Sequence, residues 1–247
     1  MSPDIDQMLN LMDWSFQCLE EGMPHKPKSV TLSFGYAYRY IEKNIYQAII
    51  LKLARTQSSV RAAKHLLEGG FVQEQAILHR IIDETNEDIL FLVYAVTNDE
   101  VTDLHNKFLD AFWEEEIDGS GTVVSSAQKR PMIPRNKIRA YITKVDGVGG
   151  DTSRQLEVMR SISKMYSGFV HGAAPQIMDM YIGNPPRFHT AGMHGTIRME
   201  EHSDDLWNYV YRSYLSHIYA SKAFGAEEIA NDLLEPLKKF QQNSGQW

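Results

Sequence analysis

Cysteine is almost absent from this chain, since Cys18 is the only one among 247 residues. A single thiol excludes an internal disulfide and is typical of a reducing compartment. Long apolar runs are also missing, because the longest, from Ile89 to Val96, is far shorter than the roughly 20 residues that span a bilayer. The acidic start of the chain has no basic segment of the kind that opens a signal peptide. We therefore expect a cytoplasmic protein with no membrane partner.

The chain also lacks the short motifs of several enzyme classes. It has no Gly-x-x-x-x-Gly-Lys-Ser/Thr phosphate loop, no Gly-x-Ser-x-Gly nucleophile turn and no His-Glu-x-x-His zinc motif. No glutamate is followed by a histidine three residues later, which excludes the Glu-x-x-His pairs of di-iron bundles. His189, His194 and His202 match no metal-ligand spacing that we recognise. The sequence therefore predicts neither a metal nor a cofactor.

Helical periodicity dominates the sequence that is present. Apolar residues recur at spacings of three, four or seven from Phe34 to Leu67, and again from Val72 to Val96. A Gly-Gly pair separates the two stretches. The region 34–97 is therefore predicted to form a long αα-hairpin at the centre of a helical bundle.

Shorter helices are predicted on both sides of this hairpin. Prolines and glycines interrupt residues 173–202, which we expect to form an irregular insertion with a short strand pair near Phe188 and Thr196–Met199. Ser203 is predicted to cap the helix that follows. The expected fold is all-α, one domain over residues 1–247 with seven to eight helices. Outside the hairpin these helices lie near residues 4–21, 99–116, 135–145 and 153–171, and over the C-terminal range 204–240.

Polar side chains are dense in the second helix of the hairpin. Arg80, Glu84 and Glu87 lie three or four residues apart, so they line one helical stripe, with Ile77 and Ile81 beside it. The stripe has two interpretations. It is either an exposed row of weak salt bridges or a buried ion pair kept for a site.

A second polar group ends the helix predicted over 153–171. His171 closes this helix, where the helix dipole favours a protonated imidazole. Tyr166 and Ser167 precede it within about one turn. His171 is either a helix-capping residue or a proton-transferring group.

These two segments resemble an uncharacterised prokaryotic, all-helical family that is similar to the HEPN group. The resemblance rests on the run from Glu68 to Arg80 followed by Glu84, and on Ser167-Gly-Phe-Val-His171. It covers about residues 35–97 and 155–172, and Gly172 departs from the proline that often follows the histidine. The resemblance implies a helical bundle that is commonly a homodimer. Many HEPN proteins are metal-independent ribonucleases of toxin and phage-defence systems, and others are inactive binding modules.

Active HEPN proteins carry arginine followed by histidine after four to six residues. Arg212 and His217 fit this spacing, as do Arg187 and His194, and we keep the first pair as weaker site candidates. Pairs of this spacing are expected by chance from the arginine and histidine content alone. The pattern therefore does not identify a nuclease.

Two functions from different classes follow from these residues. In the first, His171 acts as general acid or base on RNA, Arg80 neutralises charge on the phosphate and Glu84 holds Arg80. Tyr166 and Ser167 supply hydrogen bonds, and Glu87 supports the charged stripe. In the alternative, the chain is a non-enzymatic binding or interaction module whose Arg, Glu and His cluster is structural or holds a small anion, such as a phosphate-containing ligand.

The overall charge favours the second function slightly. The net charge of −7 disfavours broad, charge-driven binding of RNA. The basic segment from Lys129 to Lys144 is the one approach surface for RNA that the sequence offers.

Overall fold

The computed structural model describes residues 3–32, 35–115, 131–146 and 151–243. Within these ranges the chain forms nine helices and two small antiparallel hairpins, so the predicted all-α class is confirmed. Of the described helices, none is both long and apolar enough to cross a membrane. Residues 116–130, which separate the helices predicted near 99–116 and 135–145, lie outside the described residues. The elements are α1 (Pro3–Glu21), β1 (Lys28–Leu32), β2 (Gly35–Arg39), α2 (Ile45–Glu68), α3 (Val72–Thr97), α4 (Asp103–Trp113), α5 (Arg135–Asp146), α6 (Thr152–Val170), α7 (Ala174–Met178), β3 (Tyr181–Ile182), β4 (Arg187–Phe188), α8 (Ile197–Ala223) and α9 (Glu227–Asn243).

Helices α2 and α3 form the central hairpin that the periodicity predicts. Asn44 and Gln47 make a capping box at the start of α2, with two reciprocal hydrogen bonds of 3.0 and 3.1 Å. Gly70 closes the turn with φ of +76°, a conformation that favours glycine. A Cβ at Gly70 would lie 2.8 Å from the backbone nitrogen of Met193, so the close approach also requires glycine.

The predicted start of the hairpin at residue 34 is wrong. Strands β1 and β2 pair antiparallel before α2, with Ser29 opposite Tyr38, and α2 begins only at Ile45. Phe34 and Tyr38 are four residues apart, a spacing that fits one face of a strand as well as one face of a helix. Lys43 then has φ of +53°, which separates the strand from the helix.

The predicted end of the irregular insertion is also wrong. Helix α8 begins at Ile197 after Thr196, so Ser203 lies inside the helix and does not cap it. The short strand pair exists, but Phe188 pairs with Tyr181 and not with residues 196–199. The first turns of α8 contain few apolar residues, so periodicity gave no signal there. The five-residue helix α7 lies in the same segment and raises the helix count above eight.

Helix α3 is the centre of the bundle, since it packs against α2, α4, α5, α6 and α8. The apolar core has two parts, one around α1, α8 and α9 and one around α4 and α5, and both α2 and α3 run through each part. Between them, α3 carries buried polar side chains from Asp83 to Asp88. A band of polar groups therefore crosses the bundle at mid-height.

Candidate functional site

Arg80 and Glu84 form the ion pair that their spacing predicts. Arg80 Nη2 lies 2.8 Å from Glu84 Oε1, and Arg80 Nη1 donates a hydrogen bond to the carbonyl oxygen of Ser163 on α6. The two charged side chains are 25% and 29% exposed. The pair is therefore half-buried, between the two interpretations that the sequence allowed.

The deeply buried charges lie about one helical turn further along α3. Arg139 Nε donates to Glu87 Oε1 at 2.8 Å, and the two side chains are only 6% and 2% exposed. Asp88 accepts a hydrogen bond from Arg135 and another, of 2.7 Å, from Lys52 Nζ. We refer to the whole set as the α3 ion network: Lys52, Arg80, Glu84, Glu87, Asp88, Arg135 and Arg139.

Burial competes with pairing at Glu87. Removal from water raises the pKa of Glu87 to about 7, although the hydrogen bond and the charge of Arg139 act to lower it. The geometry is that of an ion pair. Glu87 therefore depends on Arg139 to remain ionised near neutral pH.

The basic segment suggested that α5 exposes its arginines to solvent, but the structure shows that it does not. Arg135 and Arg139 turn towards the acidic residues of α3, which leaves Lys137 and Lys144 exposed. Lys129 and Arg130 lie outside the described residues. The sequence did carry a signal for the two arginines, because their spacing of four places both on one face of α5.

A cavity of about 810 Å³ opens beside the α3 ion network. Binding sites for small molecules have volumes of roughly 300–1,000 Å³. Lys52 Nζ lies 4.9 Å from the ring centre of Phe112 and 5.7 Å from that of Phe108, within the range of cation–π contacts. We refer to this cavity as the aromatic pocket; its charged lining residues are Lys52, Arg80, Glu84, Asp88 and Arg135, and Phe108 and Phe112 line its apolar side.

His171 lies away from this pocket. It is exposed, follows the last residue of α6 and donates its backbone N–H to the carbonyl oxygen of Ser167 at 3.1 Å. His171 lies eight positions after Ser163, which contacts Arg80, and this separation corresponds to about 12 Å of helix. Among the described residues the His171 side chain has no hydrogen bond or ion pair. The structure thus brings Arg80, Glu84 and Glu87 together, and among the described residues no hydrogen bond or ion pair links the side chains of His171 or Ser167 to them.

Tyr166 belongs to a different cluster, between α3, α6 and α8. Its hydroxyl donates to Asp205 Oδ2 at 2.7 Å, and its ring meets the edge of His79. His79 is fully buried and stacks on Tyr209, with ring centres 4.1 Å apart. The sequence did not single out His79 or Asp205, because His79 forms no recognised motif with its neighbours and Asp205 lies in the weakly periodic start of α8.

The weaker candidates Arg212 and His217 face different neighbours. Arg212 Nη1 lies 2.5 Å from Asp83 on α3. His217 is fully buried, and its Nδ1 lies 2.8 Å from the hydroxyl oxygen of Ser15 on α1. The structure does not bring these two side chains together.

Comparison with known proteins identifies no relative of this chain. No family model, curated protein or solved structure matches the chain. The HEPN-like resemblance therefore stays a prediction. The fold and the site define an all-α bundle in which a buried ion network adjoins a pocket of small-molecule size.

Proposed function

We propose that this chain is a binding module for a small organic anion, which it holds in the aromatic pocket. The observation that carries the proposal is the convergence of Lys52, Arg80 and Arg135 on one cavity that also has an aromatic side. Specific small-molecule sites combine apolar walls with a few placed polar groups in this way.

The charge of the pocket lining supports an anionic ligand. Three cations and two carboxylates, Glu84 and Asp88, give 3 − 2 = +1, in a chain whose net charge is −7. Lys52 has three N–H donors, and among the described residues it uses one of them, for Asp88. An anionic group can therefore bind at Lys52 and Arg135 while a flat ring lies against Phe112. A mononucleotide or a similar organic phosphate has this chemistry.

The position of His171 favours binding over RNA cleavage. A general acid or base must lie within hydrogen-bond reach of the atom it serves, about 2.6–3.2 Å or one water away. His171 is about 12 Å along α6 from the contact of Arg80 with Ser163. The described part of the ion network contains arginine, lysine and carboxylates, and no histidine.

Calorimetry of the full chain tests the proposal, with AMP, CMP and inorganic phosphate as probes. We expect saturable binding of a mononucleotide and weaker binding of inorganic phosphate, which lacks the ring. Lys52→Met and Phe112→Leu should each weaken mononucleotide binding about tenfold, or about 1.4 kcal/mol. The matched control is Arg198→Gln, because Arg198 is paired at a distance from the pocket with Asp179 and Glu201.

Two outcomes would overturn the proposal. One is the absence of binding for every probe at millimolar concentration. The other is equal binding by Lys52→Met, Phe112→Leu and the wild type. Chelator-resistant cleavage of RNA that is lost in His171→Ala at unchanged melting temperature would instead establish the ribonuclease function.

We also propose, from the HEPN-like resemblance, that the chain forms a homodimer. Exposed apolar side chains on α6 support this, because Val158 and Met165 lie seven residues apart on one helical stripe. Light scattering should give a mass near twice 28.3 kDa, and Met165→Lys should shift it towards 28.3 kDa. A wild-type protein that is monomeric at micromolar concentration would contradict the proposal.

A further inference from the structure

Three ligand-type side chains meet where α3 packs against the start of α8. His79 comes from α3, and His202 and Asp205 come from the first turns of α8. One potential ligand atom from each side chain lies within 4.8 Å of the other two. This cluster shares no residue with the aromatic pocket.

His79 is the least expected member of the cluster. It is fully buried, and neither of its ring nitrogens has a hydrogen-bond partner among the described residues. Buried polar groups are normally paired, so both ring nitrogens of this imidazole are available to a ligand such as a metal ion. The rings of Tyr209 and Tyr166 pack against His79 and fix its position.

The two histidines are suited to donate lone pairs. Burial lowers the pKa of His79 to about 3 and also lowers the pKa of His202. Both imidazoles are therefore neutral near pH 7, which is the form that binds a metal. One ring nitrogen of His202, Nδ1, is buried and has no partner among the described residues.

Neighbouring residues hold the α8 ligands in place. His202 and Asp205 are three residues apart, so they lie on one face of α8. The side-chain amide of Gln75 donates to the backbone carbonyl oxygen of His202 at 3.2 Å. Tyr166 donates to Oδ2 of Asp205. Hydrogen bonds of this kind orient ligands in known metal sites.

We propose that His79, His202 and Asp205 bind one divalent transition-metal ion, with Zn²⁺ as the best fit. Two imidazoles and one carboxylate are a common zinc ligand set, and zinc–nitrogen and zinc–oxygen distances are about 2.0–2.2 Å. Tetrahedral ligand atoms are then roughly 3.4 Å apart, so a metal would draw the three atoms inwards by about 1 Å. Asp205 is only half-buried and can make this movement. Three protein ligands leave a fourth position for water or for an atom of a substrate.

The sequence patterns could not find this site. The residues on α8 read His-x-x-Asp, the reverse order of the Glu-x-x-His pair, and His202 is the last residue of the predicted irregular insertion. The third ligand, His79, lies 123 positions earlier in the chain. Only the packing of α3 on α8 brings them together.

Cobalt titration of the chelator-treated full chain tests the site directly. We expect visible Co²⁺ absorption that saturates at one ion per chain, disappears when Zn²⁺ is added and is accompanied by a higher melting temperature. Asp205→Asn and His202→Gln should each weaken Co²⁺ binding at least tenfold. The matched controls are Asp204→Asn, at the exposed neighbouring carboxylate, and His65→Gln, at an exposed histidine on α2. Both controls should bind Co²⁺ like the wild type.

Asp205→Asn keeps the size of the side chain and an oxygen for Tyr166, so it preserves the fold and decides the test even if a His79 variant does not fold. Wild-type protein that shows neither Co²⁺ absorption nor stoichiometric Zn²⁺ at micromolar concentration would overturn the proposal. Equal binding by Asp205→Asn and Asp204→Asn would also overturn it. Neither outcome bears on mononucleotide binding, because the aromatic pocket uses other residues.

Discussion

Replacing Arg139 by methionine should destabilise the protein by about 3–5 kcal/mol at pH 8. The change leaves Glu87 buried, with its closest cation removed and Arg135, 3.7 Å away, as a more distant ion-pair partner. Breaking a buried ion pair from one side is costly because the remaining charge is neither solvated nor paired. Urea unfolding of the full chain measures the loss.

The size of this effect should depend on pH and on exposure. At pH 5 the loss should be smaller, because burial raises the pKa of Glu87 to about 7, so Glu87 is already protonated at pH 5 and removing Arg139 leaves no buried negative charge. Glu87→Gln in the Arg139→Met background should recover much of the stability at pH 8. The control is Arg80→Met, which we expect to cost about 1 kcal/mol or less, since Arg80 and Glu84 are partly solvated. Similar losses for Arg80→Met and Arg139→Met would contradict the assignment of the deeply buried pair.

Acidification from pH 7 to pH 4 should destabilise the protein strongly through two buried histidines. Burial lowers the pKa of both His79 and His217 from 6.5 to about 3. Between these values the unfolded chain binds protons that the folded chain does not. The contribution of the two neutral histidines to stability is therefore fully present above pH 6.5 and is lost as the pH falls towards 3. At pH 4 the loss is about 3 kcal/mol for each histidine.

Glu87 acts in the opposite direction over part of this range. Its pKa is raised from 4.5 to about 7, so the folded chain holds a proton that the unfolded chain releases. Its contribution is full below pH 4.5 and is lost as the pH rises towards 7. Glu87 therefore offsets part of the loss from the histidines between pH 6.5 and 4.5.

Urea unfolding of the wild type and of His217→Gln at pH 7, 5.5 and 4, in the presence of a chelator, measures the contribution of His217 to the pH dependence of stability. His217→Gln keeps a donor for Ser15 and removes the titrating ring, so its stability should fall about 3 kcal/mol less than that of the wild type between pH 7 and pH 4. His65→Gln, at an exposed histidine, should leave the pH profile unchanged. If the profiles of His217→Gln and the wild type are parallel, His217 is not held neutral by burial.

The local pattern of the sequence was sufficient for helices with a strong apolar face. Helix α3 and the Gly-Gly turn follow from residues close together in the chain, because helix periodicity and positive φ at Gly70 are local properties. Apolar spacing did not distinguish a strand from a helix before Ile45, because a spacing of four residues fits one face of either. It also did not mark the start of α8 at Ile197, because the first turns of that helix contain few apolar residues.

The pair Arg80–Glu84 was also readable, since residues four apart on a helix are neighbours whatever surrounds them. The burial of Glu87 was not, because it depends on α5, which begins nearly 50 residues later and brings Arg139 inwards.

The sequence by itself determined the helical class, the central hairpin and a charged stripe on α3. Only the tertiary structure decided which charges are buried, which histidines lack partners, and that His171 lies apart from Arg80. The physical reason is that burial and desolvation are set by packing between distant segments. Packing of α5 on α3 gives Glu87 its cation and packing of α8 on α3 buries His79, and none of these helices carries that information alone.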